Sequence, residues 1–369
     1  MSDPTHAATK APPHRSPRAY AWLAGSLLLL ALPFYLDRFW LQAGLFAMAA
    51  AIGAIGLNLL TGATGQLSMG HSFFLAVGAY GYCVFAGEGG ESGAENGRQL
   101  TGLGLPTWLA VVLAVLLAGA AGGLFSPIAG RLRGAYLGIA TLALIFIGQH
   151  VLFNAGDLTG GFNGRDVPVL SLFGFDFDDT EVVIAAVPFG SSEKLWYAGL
   201  FALLVGGLFA RGVLRGRPGR AMNAIRDHRV AAGVMGVPVA RYRAAVFVLS
   251  SMYAGLAGVL IALIFQRTVP DYFGMILALE YLAMIVIGGL GTVAGAVVGA
   301  AFVALLPQLL THYSDSLPLV ADPGSGGVTP GEASRYLYGA AIVAVVLFLP
   351  GGLTRLSVPT VRRFSREKS

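Results

Sequence analysis

The chain has 369 residues, of which 56% are hydrophobic and only 12% are charged, and its mean hydropathy is +0.71. Because soluble domains usually carry about a quarter of charged residues, this composition excludes a soluble globular protein and predicts an integral membrane protein. The net charge of +5 comes from arginines that flank apolar segments, so it reports membrane topology and indicates no nucleic-acid partner.

The first elements are a basic tail and an apolar run. Residues 1–18 are polar and contain Lys10, Arg15 and Arg18, so we expect a cytoplasmic tail. Residues 19–36 have no small-x-small cleavage site behind them, which predicts an uncleaved first span rather than a signal peptide. Further apolar segments of spanning length follow in chain order at residues 39–60, 71–86, 106–128, 135–153, 195–214 and 244–265.

The charges between these segments predict the direction in which each segment crosses the membrane, because arginine-rich loops beside spans remain in the cytoplasm. Residues 154–194 contain five aspartates and are predicted to form an external loop. Residues 215–243, which we call the arginine-rich segment, contain seven arginines and a single carboxylate, Asp227. We therefore expect the arginine-rich segment to lie in the cytoplasm.

The topology of the C-terminal part is predicted by counting the membrane crossings that its external and cytoplasmic segments require. Residues 311–333 are acidic and predicted to be external, whereas the basic tail 354–369 is predicted to be cytoplasmic, with 335–349 as the last inward span. The chain must then enter and leave the membrane between residues 273 and 310, as two short spans of about 20 residues with a turn at 288–292. The result is an all-α transmembrane domain over residues 19–353, with about ten helices and both termini cytoplasmic.

One apolar run is interrupted by small and polar residues. Non-helical backbone at membrane depth is tolerated only where it is buried or lines a cavity, and broken helices often flank substrate pathways. The interruption therefore predicts a pathway or a gate, with close helix packing as the plainer explanation for its glycines. Its candidate residues are Gly62, Gly65, Gln66, Ser68, Gly70 and His71.

Two further polar residues lie inside predicted spans. Asn58 precedes the interruption and is expected either to cap it at Gly62 or to hydrogen-bond across helices. Glu280 lies in an apolar run, and an intramembrane carboxylate is a functional hypothesis by default. A structural glutamate that pairs with a neighbouring helix is an equally weighted alternative. Both residues are included among the candidates for the substrate pathway.

The arginine-rich segment contains a predicted short helix. Pro218 suits the first turn of a helix, and Met222, Ile225 and Ala232 then recur at helical spacing as an apolar stripe. Gly233, Gly236 and Pro238 are expected to end it. One interpretation is a basic loop that touches anionic lipid head groups. The other is a docking helix whose apolar stripe inserts into a groove on a soluble partner.

Several kinds of chemistry are missing from the sequence. Its three lysines follow Thr9, Glu193 and Glu367, so there is no Gly-Lys-Ser/Thr phosphate loop. The six histidines are scattered without metal-ligand spacing, and the single cysteine, Cys83, excludes an intramolecular disulfide. No nucleophile signature is present. We therefore expect a transport subunit without metal, cofactor or ATPase site of its own, rather than an enzyme.

Three stretches carry a resemblance to a known family. They are GLNLLTGATGQLSMGH at residues 56–71, GRAMNAIRD at 219–227 and IVIGGLGT at 285–292. In this order and spacing they resemble the permease subunits of bacterial branched-chain amino acid ABC importers, of the LivM type. The similarity extends over residues 56–353. In one departure, relatives commonly carry glutamates near Arg229 and Gly233, where this chain reads HRVAAG at residues 228–233.

The resemblance implies an ABC importer permease fold and a coupling loop that docks on ATPase subunits. The implied coupling residues are Gly219, Arg220, Ala221, Met222, Ala224, Ile225, Arg226, Asp227, Ala232 and Gly236. It also implies a second homologous permease subunit, two cytoplasmic ATPases that bind the ATP, a periplasmic solute-binding protein and a place in the bacterial inner membrane among its lipids. A urea or short-amide importer, an ion-coupled secondary carrier and a membrane scaffold without transport remain as alternatives.

Overall fold

Helices form most of the computed structural model, which describes residues 25, 29–90, 100–132, 134–172, 174–180, 182–184, 187–313, 329–348 and 353. The predicted tails 1–18 and 354–369 lie outside the described residues, as does half of the first predicted span. The predicted external segment 311–333 is described only in part, as are residues 87–105 between the second and third of the apolar segments that follow the first span.

Within these ranges, six helices are long and apolar enough to cross a membrane. They are α1 (Arg38–Thr64), α3 (Thr107–Arg131), α4 (Ala135–Asn154), α6 (Ser191–Arg215), α9 (Val239–Phe265) and α11 (Val293–His312). Two shorter apolar helices are α2 (His71–Ala86) and α10 (Met275–Gly288), and α12 runs over Pro330–Phe348. Three short helices are α5 (Gly156–Thr159), α7 (Arg217–Asp227) and α8 (Arg229–Val234).

Where a pair of short spans is predicted, between residues 273 and 310, the structure has the two helices α10 and α11, of which α11 is long enough to cross a membrane. The turn that separates them contains Gly289 at φ +115° and Gly291 at φ +82°, which is backbone that side chains other than glycine rarely adopt. Thr292 caps α11, since its side-chain oxygen accepts a hydrogen bond from the Gly295 amide. We call residues 288–292 the glycine turn.

Helices α1 and α9 form the centre of the bundle. In the most apolar window of each, 83% and 67% of the residues are buried, against 17–28% in α3, α4, α6 and α11. Helix α9 packs on α1, α2 and α3, while α1 also packs on α6 and α11. The outer helices therefore present apolar side chains that suit a lipid environment, and the two central helices are shielded from it.

The segment between α4 and α6 contains short strands that were not predicted. In the described part of the chain, β1 (Arg165–Asp166) pairs antiparallel with β6 (Arg267–Thr268), which follows α9. Two hairpins follow β1, made by β2 (Ser171–Leu172) with β3 (Phe175–Asp176) and by β4 (Val182–Ile184) with β5 (Val187–Phe189). Because α9 has 27 residues, this end of the bundle lies about 40 Å from the arginine-rich segment.

A buried lysine holds the end of β3 and the residues after it to the start of α6. Lys194 is 5% exposed, and its Nζ donates to the carbonyl oxygens of Asp176, Asp178 and Thr180 at 2.9–3.1 Å and to Asp178 Oδ1 at 3.0 Å. Hydrogen bonds from the Thr180 side chain and from Lys194 lower the pKa of Asp178 below its ordinary value. The ammonium group thus organises a loop that has little apolar core of its own.

Candidate functional site

The predicted interruption between α1 and α2 is a non-helical segment at residues 65–70. Helix α1 ends at Gly65 in the left-handed conformation, φ +68°, and α2 begins at His71. At 1.5 Å per residue α1 is about 40 Å long but α2, with 16 residues, only about 24 Å. Gln66, Ser68 and Gly70 are buried in alternation, as the two-residue period of extended backbone requires.

Hydrogen bonds replace the helical ones that this segment lacks. The Thr61 hydroxyl donates to the Gln66 carbonyl at 3.1 Å, and the Met69 amide donates to Thr141 Oγ1 at 2.9 Å. Gln66 Nε2 donates to Thr64 Oγ1 at 2.9 Å, whereas Gln66 Oε1 is buried without a partner among the described residues. The segment is thus held on both sides while one amide oxygen stays unmatched.

His71 is fixed by the helix that precedes it. It is 2% exposed, and its Nε2 lies 2.9 Å from the carbonyl oxygen of Gly53, which can only accept, so Nε2 donates. Its ring makes an edge contact with Tyr281 of α10, with 5.0 Å between centroids. At the preceding residue a Cβ on Gly70 would lie 2.7 Å from the Thr141 carbonyl oxygen, so only glycine permits this approach to α4.

Asn58 connects α1 to the glycine turn. It is 4% exposed, its Oδ1 accepts from the Gly291 amide at 2.7 Å, and its Nδ2 donates to the Thr292 carbonyl at 2.8 Å. A longer contact of 3.4 Å joins Nδ2 to the Gly289 carbonyl. Of the two predicted roles, the structure therefore shows the hydrogen bond across helices and not a cap at Gly62.

Gly62 lies where three segments meet. A Cβ here would come within 2.4 Å of the Gly291 amide nitrogen, so the glycine turn can pack directly on the backbone of α1. The Gly62 carbonyl oxygen also accepts a hydrogen bond from Arg226 Nη1 in α7, at 2.9 Å. A Cβ on Gly65 would approach Arg226 Cγ to 3.2 Å. We call this meeting of the interruption, the glycine turn and α7 the junction.

The part of the chain that matches known proteins includes the residues of the junction. A sequence profile of the family described as "Branched-chain amino acid transport system / permease component" matches residues 40–346. The chain belongs to this permease family. The resemblance that the three stretches indicated is therefore confirmed.

Individual relatives are similar over most of the permease chain. The high-affinity branched-chain amino acid transport system permease protein LivM of Escherichia coli is 28% identical over 348 residues, covering 91% of this chain and 75% of the relative. The LivH permease protein of the same system is 27% identical over 270 residues, covering 71% and 82%. A probable LivH protein of Methanocaldococcus jannaschii is 27% identical over about half of each chain. No solved structure matches.

The orientation of α7 corrects one prediction. Met222, Ile225 and Ala232 are 1%, 4% and 4% exposed, because α7 and α8 lay their apolar stripe on the permease's own helices α1, α6 and α9. The prediction that this apolar stripe inserts into a groove on a partner is therefore wrong. The exposed apolar side chains are instead Val230, Val234 and Met235, at 80–83% exposure.

The other predicted coupling residues divide between the two faces. Gly219 is buried, and a Cβ there would collide with the Leu214 carbonyl at the end of α6. Ala221 is half-buried. Arg220, Ala224, Asp227 and Gly236 are exposed, and Gly236 adopts φ +83° in the turn that leads to α9. Arg226 reaches the junction and also contacts Asp227 at 3.2 Å.

Glu280 is not part of the junction. It is half-buried in α10, eight residues and thus about 12 Å before Gly288, and the positive charge of Arg335 in α12 acts on its carboxylate. This position agrees with the predicted alternative of a glutamate that pairs with a neighbouring helix. The two hypotheses for Glu280 both remain compatible with its place between α10 and α12.

Arg243 is a structural residue that the sequence reasoning treated as one more loop charge. It is 6% exposed, and its guanidinium donates to the carbonyl oxygens of Gly130 at 2.8 Å and Leu132 at 3.2 Å. Its own carbonyl accepts from Gln66 Nε2 at 3.4 Å. Arg243 thus holds the end of α3 and the interruption to the start of α9. The sequence signal that could have indicated this buried role is the position of Arg243 directly before an apolar run.

Proposed function

We propose that this chain is one permease subunit of an ATP-binding cassette importer, and that it forms part of the transmembrane pathway for branched-chain or other apolar amino acids. Its membership of the permease family and its similarity to LivM and LivH proteins support this substrate class. The observation that carries the mechanism is the junction, where the arginine-rich segment contacts the interrupted helix through Arg226 and Gly62.

The mechanism begins with an ATPase dimer that closes on ATP and displaces α7 and α8. Arg226 then pulls on the Gly62 carbonyl, and Asn58 carries the same displacement to the glycine turn. Because these contacts join packed backbones, a small shift moves whole elements rather than single side chains. The non-helical residues 65–70 then act as the gate, with Gln66, Ser68 and His71 as its polar lining and with Gly65 and Gly70 giving the backbone room.

The remaining pathway candidates have different parts in this mechanism. Asn58 and Gly62 join the gate to the glycine turn, since the amide of Asn58 is already engaged and a Cβ at Gly62 has no space. Glu280 is half-buried in α10 at the side of the bundle and is proposed to line the pathway away from the junction. No group of three or more His, Cys, Asp and Glu residues that could hold a metal is present in the described ranges.

The surface proposed to dock on an ATPase subunit consists of Val230, Val234 and Met235, with the exposed residues Arg220, Ala224 and Asp227 beside it. Apolar side chains this exposed on a loop outside the spans are costly in water and suit a groove on a partner. We therefore expect Met235→Asp to reduce co-purification of the ATPase with intact permease. Val169→Asp, an exposed valine at the other end of the bundle, is the matched control. Equal ATPase recovery from both variants would exclude this surface.

The proposed assembly contains this chain, a second homologous permease subunit, two cytoplasmic ATPases and a periplasmic solute-binding protein in the bacterial inner membrane. Similarity to both LivM and LivH proteins, which are two permeases of one system in Escherichia coli, supports a paired arrangement. Both termini and the arginine-rich segment would face the cytoplasm. ATP would be bound by the ATPase subunits, and the permease itself would not be an enzyme.

Uptake into proteoliposomes tests the proposal. The assembled complex, with ATP enclosed and the binding protein outside, should import labelled leucine after ion gradients are collapsed by ionophores. Import of urea that leucine does not compete with would favour the short-amide alternative, and loss of import with the gradients would favour a secondary carrier.

A further inference from the structure

Arg165 is the largest fully buried side chain of the described residues, and it lies at the end of the bundle opposite the junction. It is 1% exposed and belongs to β1, which pairs with Arg267 and Thr268 of β6. A buried guanidinium requires compensation by hydrogen bonds or by an opposite charge, because the charged group has lost its water. The groups around the Arg165 guanidinium therefore indicate which kind of ligand could supply the missing compensation.

Among the described residues, only Nη1 of the Arg165 guanidinium has hydrogen-bond partners. Nη1 donates to the carbonyl oxygens of Thr101 and Leu158, both at 3.0 Å. Nε and Nη2 are buried and have no hydrogen-bond partner, and no carboxylate of the described ranges forms an ion pair with Arg165. The two carbonyl bonds would hold the loops together by themselves, so the free nitrogens are left for another group.

The two free nitrogens have a particular geometry. In a planar guanidinium the N–H of Nε and one N–H of Nη2 point in parallel from the same edge, which is the fork that binds both oxygens of a carboxylate. The Nη1 contacts fix the plane of the group, so this fork is pre-organised. The backbone of Gly87 packs closely against the same guanidinium, since a Cβ there would lie 2.5 Å from Nη2.

Two hydroxyl groups face the same place. Tyr80 of α2 is 5% exposed and Thr268 is 1% exposed, and their hydroxyls are close to each other, while Tyr80 is also within electrostatic range of Arg165. Apart from this contact with each other, neither hydroxyl has a hydrogen-bond partner among the described residues. Phe273 makes an edge contact with the Tyr80 ring, at 6.1 Å between centroids, and supplies apolar surface beside the polar groups.

We infer that Arg165, Tyr80 and Thr268 form a binding site for the carboxylate of an α-amino acid at the end of the bundle opposite the junction. The inference rests on the proposed function, because urea and short amides have no carboxylate for the fork. The Nε and Nη2 groups bind the two carboxylate oxygens, and the two hydroxyls donate to the same oxygens. Since Arg165 is 1% exposed, the solute enters when the segments around β1 and β6 open.

Ligand-induced stabilisation of the assembled complex, measured without the binding protein, tests this site directly. The melting temperature is followed while L-leucine or L-leucinamide, which lacks the carboxylate, is added. We expect leucine to stabilise the wild type at a concentration about tenfold or more below that needed for leucinamide. Arg165→Lys keeps the charge but lacks the fork, and should remove this preference.

Three further variants separate binding from structure. Tyr80→Phe and Thr268→Val remove one hydroxyl each while keeping shape and the Nη1 bonds, and should weaken leucine binding several-fold; they carry the test if Arg165→Lys does not assemble. Arg267→Lys, an exposed arginine paired with Asp166 on the neighbouring strand, should bind leucine as the wild type does. Equal responses to leucine and leucinamide, no response to either, or unchanged binding by the hydroxyl variants would overturn the inference. Failure of ATP-driven leucine import would contradict the proposed function instead.

Discussion

The guanidinium of Arg226 donates a hydrogen bond of 2.9 Å to the carbonyl oxygen of Gly62, across 164 residues of sequence. It joins the arginine-rich segment to the last turn of α1, just before the non-helical residues 65–70. Gly62 is also the residue on which the glycine turn packs. A displacement of α7 is therefore transmitted to the interruption through one contact between a side chain and the backbone.

Removal of this contact should uncouple transport from ATP hydrolysis. We expect Arg226→Ala to lower ATP-driven leucine uptake about fivefold or more, since a lost coupling contact typically weakens communication between sites by 1–3 kcal/mol. Assembly and ATPase activity should persist. Arg241→Ala removes an exposed arginine of the same segment and serves as the control. Equal uptake by the two variants would mean that the contact is only structural.

Asn58 should be important for stability because both ends of its amide are used. In Asn58→Asp the Gly291 amide keeps its acceptor, but a carboxylate replaces the donor that faces the Thr292 and Gly289 carbonyls. We expect a loss of about 2–4 kcal/mol in the free energy of unfolding, measured by thermal or denaturant melting in detergent. Asn223→Asp, on the exposed side of α7, makes the same chemical change and should be nearly neutral.

Ile225 should behave as a core residue and not as a docking residue. Because it is 4% exposed, Ile225→Val should cost about 1 kcal/mol, and Ile225→Asp should bury an unpaired charge and prevent stable folding. The yield of monodisperse protein after size-exclusion chromatography provides the measurement. A well-folded Ile225→Asp variant that fails only to recruit ATPase would restore the apolar stripe as the docking surface.

The loop between α4 and α6 should weaken in acid. The pKa of Asp178 is lowered in the folded chain by Thr180 and Lys194, so its stabilisation is complete at neutral pH and is lost as the pH falls below 3.8 through the folded-state value. Limited proteolysis with an acid-active protease should show this loop opening below that pH. Asp178→Asn should open it at neutral pH as well, whereas Asp179→Asn, its exposed neighbour, should retain the wild-type profile.

Much of the helical framework follows from sequence patterns. The apolar runs at 71–86 and 135–153 agree with α2 (His71–Ala86) and α4 (Ala135–Asn154), and two helices are found where the count of membrane crossings predicts a pair of short spans, between residues 273 and 310. Glycines and polar residues also located the interruption, since few other patterns break a helix inside an apolar run. The count of about ten spans stays a prediction, because half of the first lies outside the described residues and six of the described helices are long and apolar enough to cross a membrane.

The sequence could not indicate which surface an apolar stripe contacts. Met222 and Ile225 have the spacing of an amphipathic helix, and this spacing is the same whether the partner is another protein or the chain itself. It also could not distinguish Arg165 and Arg243 from exposed arginines, because backbone carbonyls that surround a guanidinium leave no residue pattern. The short hairpins between α4 and α6 were missed because strands of two or three residues have no measurable periodicity.

The side of the membrane on which the arginine-rich segment lies tests the central claim most directly. In a Cys83→Ala background, Met235→Cys places a single thiol at a position that is 83% exposed. A membrane-impermeant maleimide should label this thiol in inside-out vesicles and not in intact cells, and bound ATPase subunits should protect it. Labelling in intact cells would place the segment beyond the reach of a cytoplasmic ATPase and contradict the coupling mechanism.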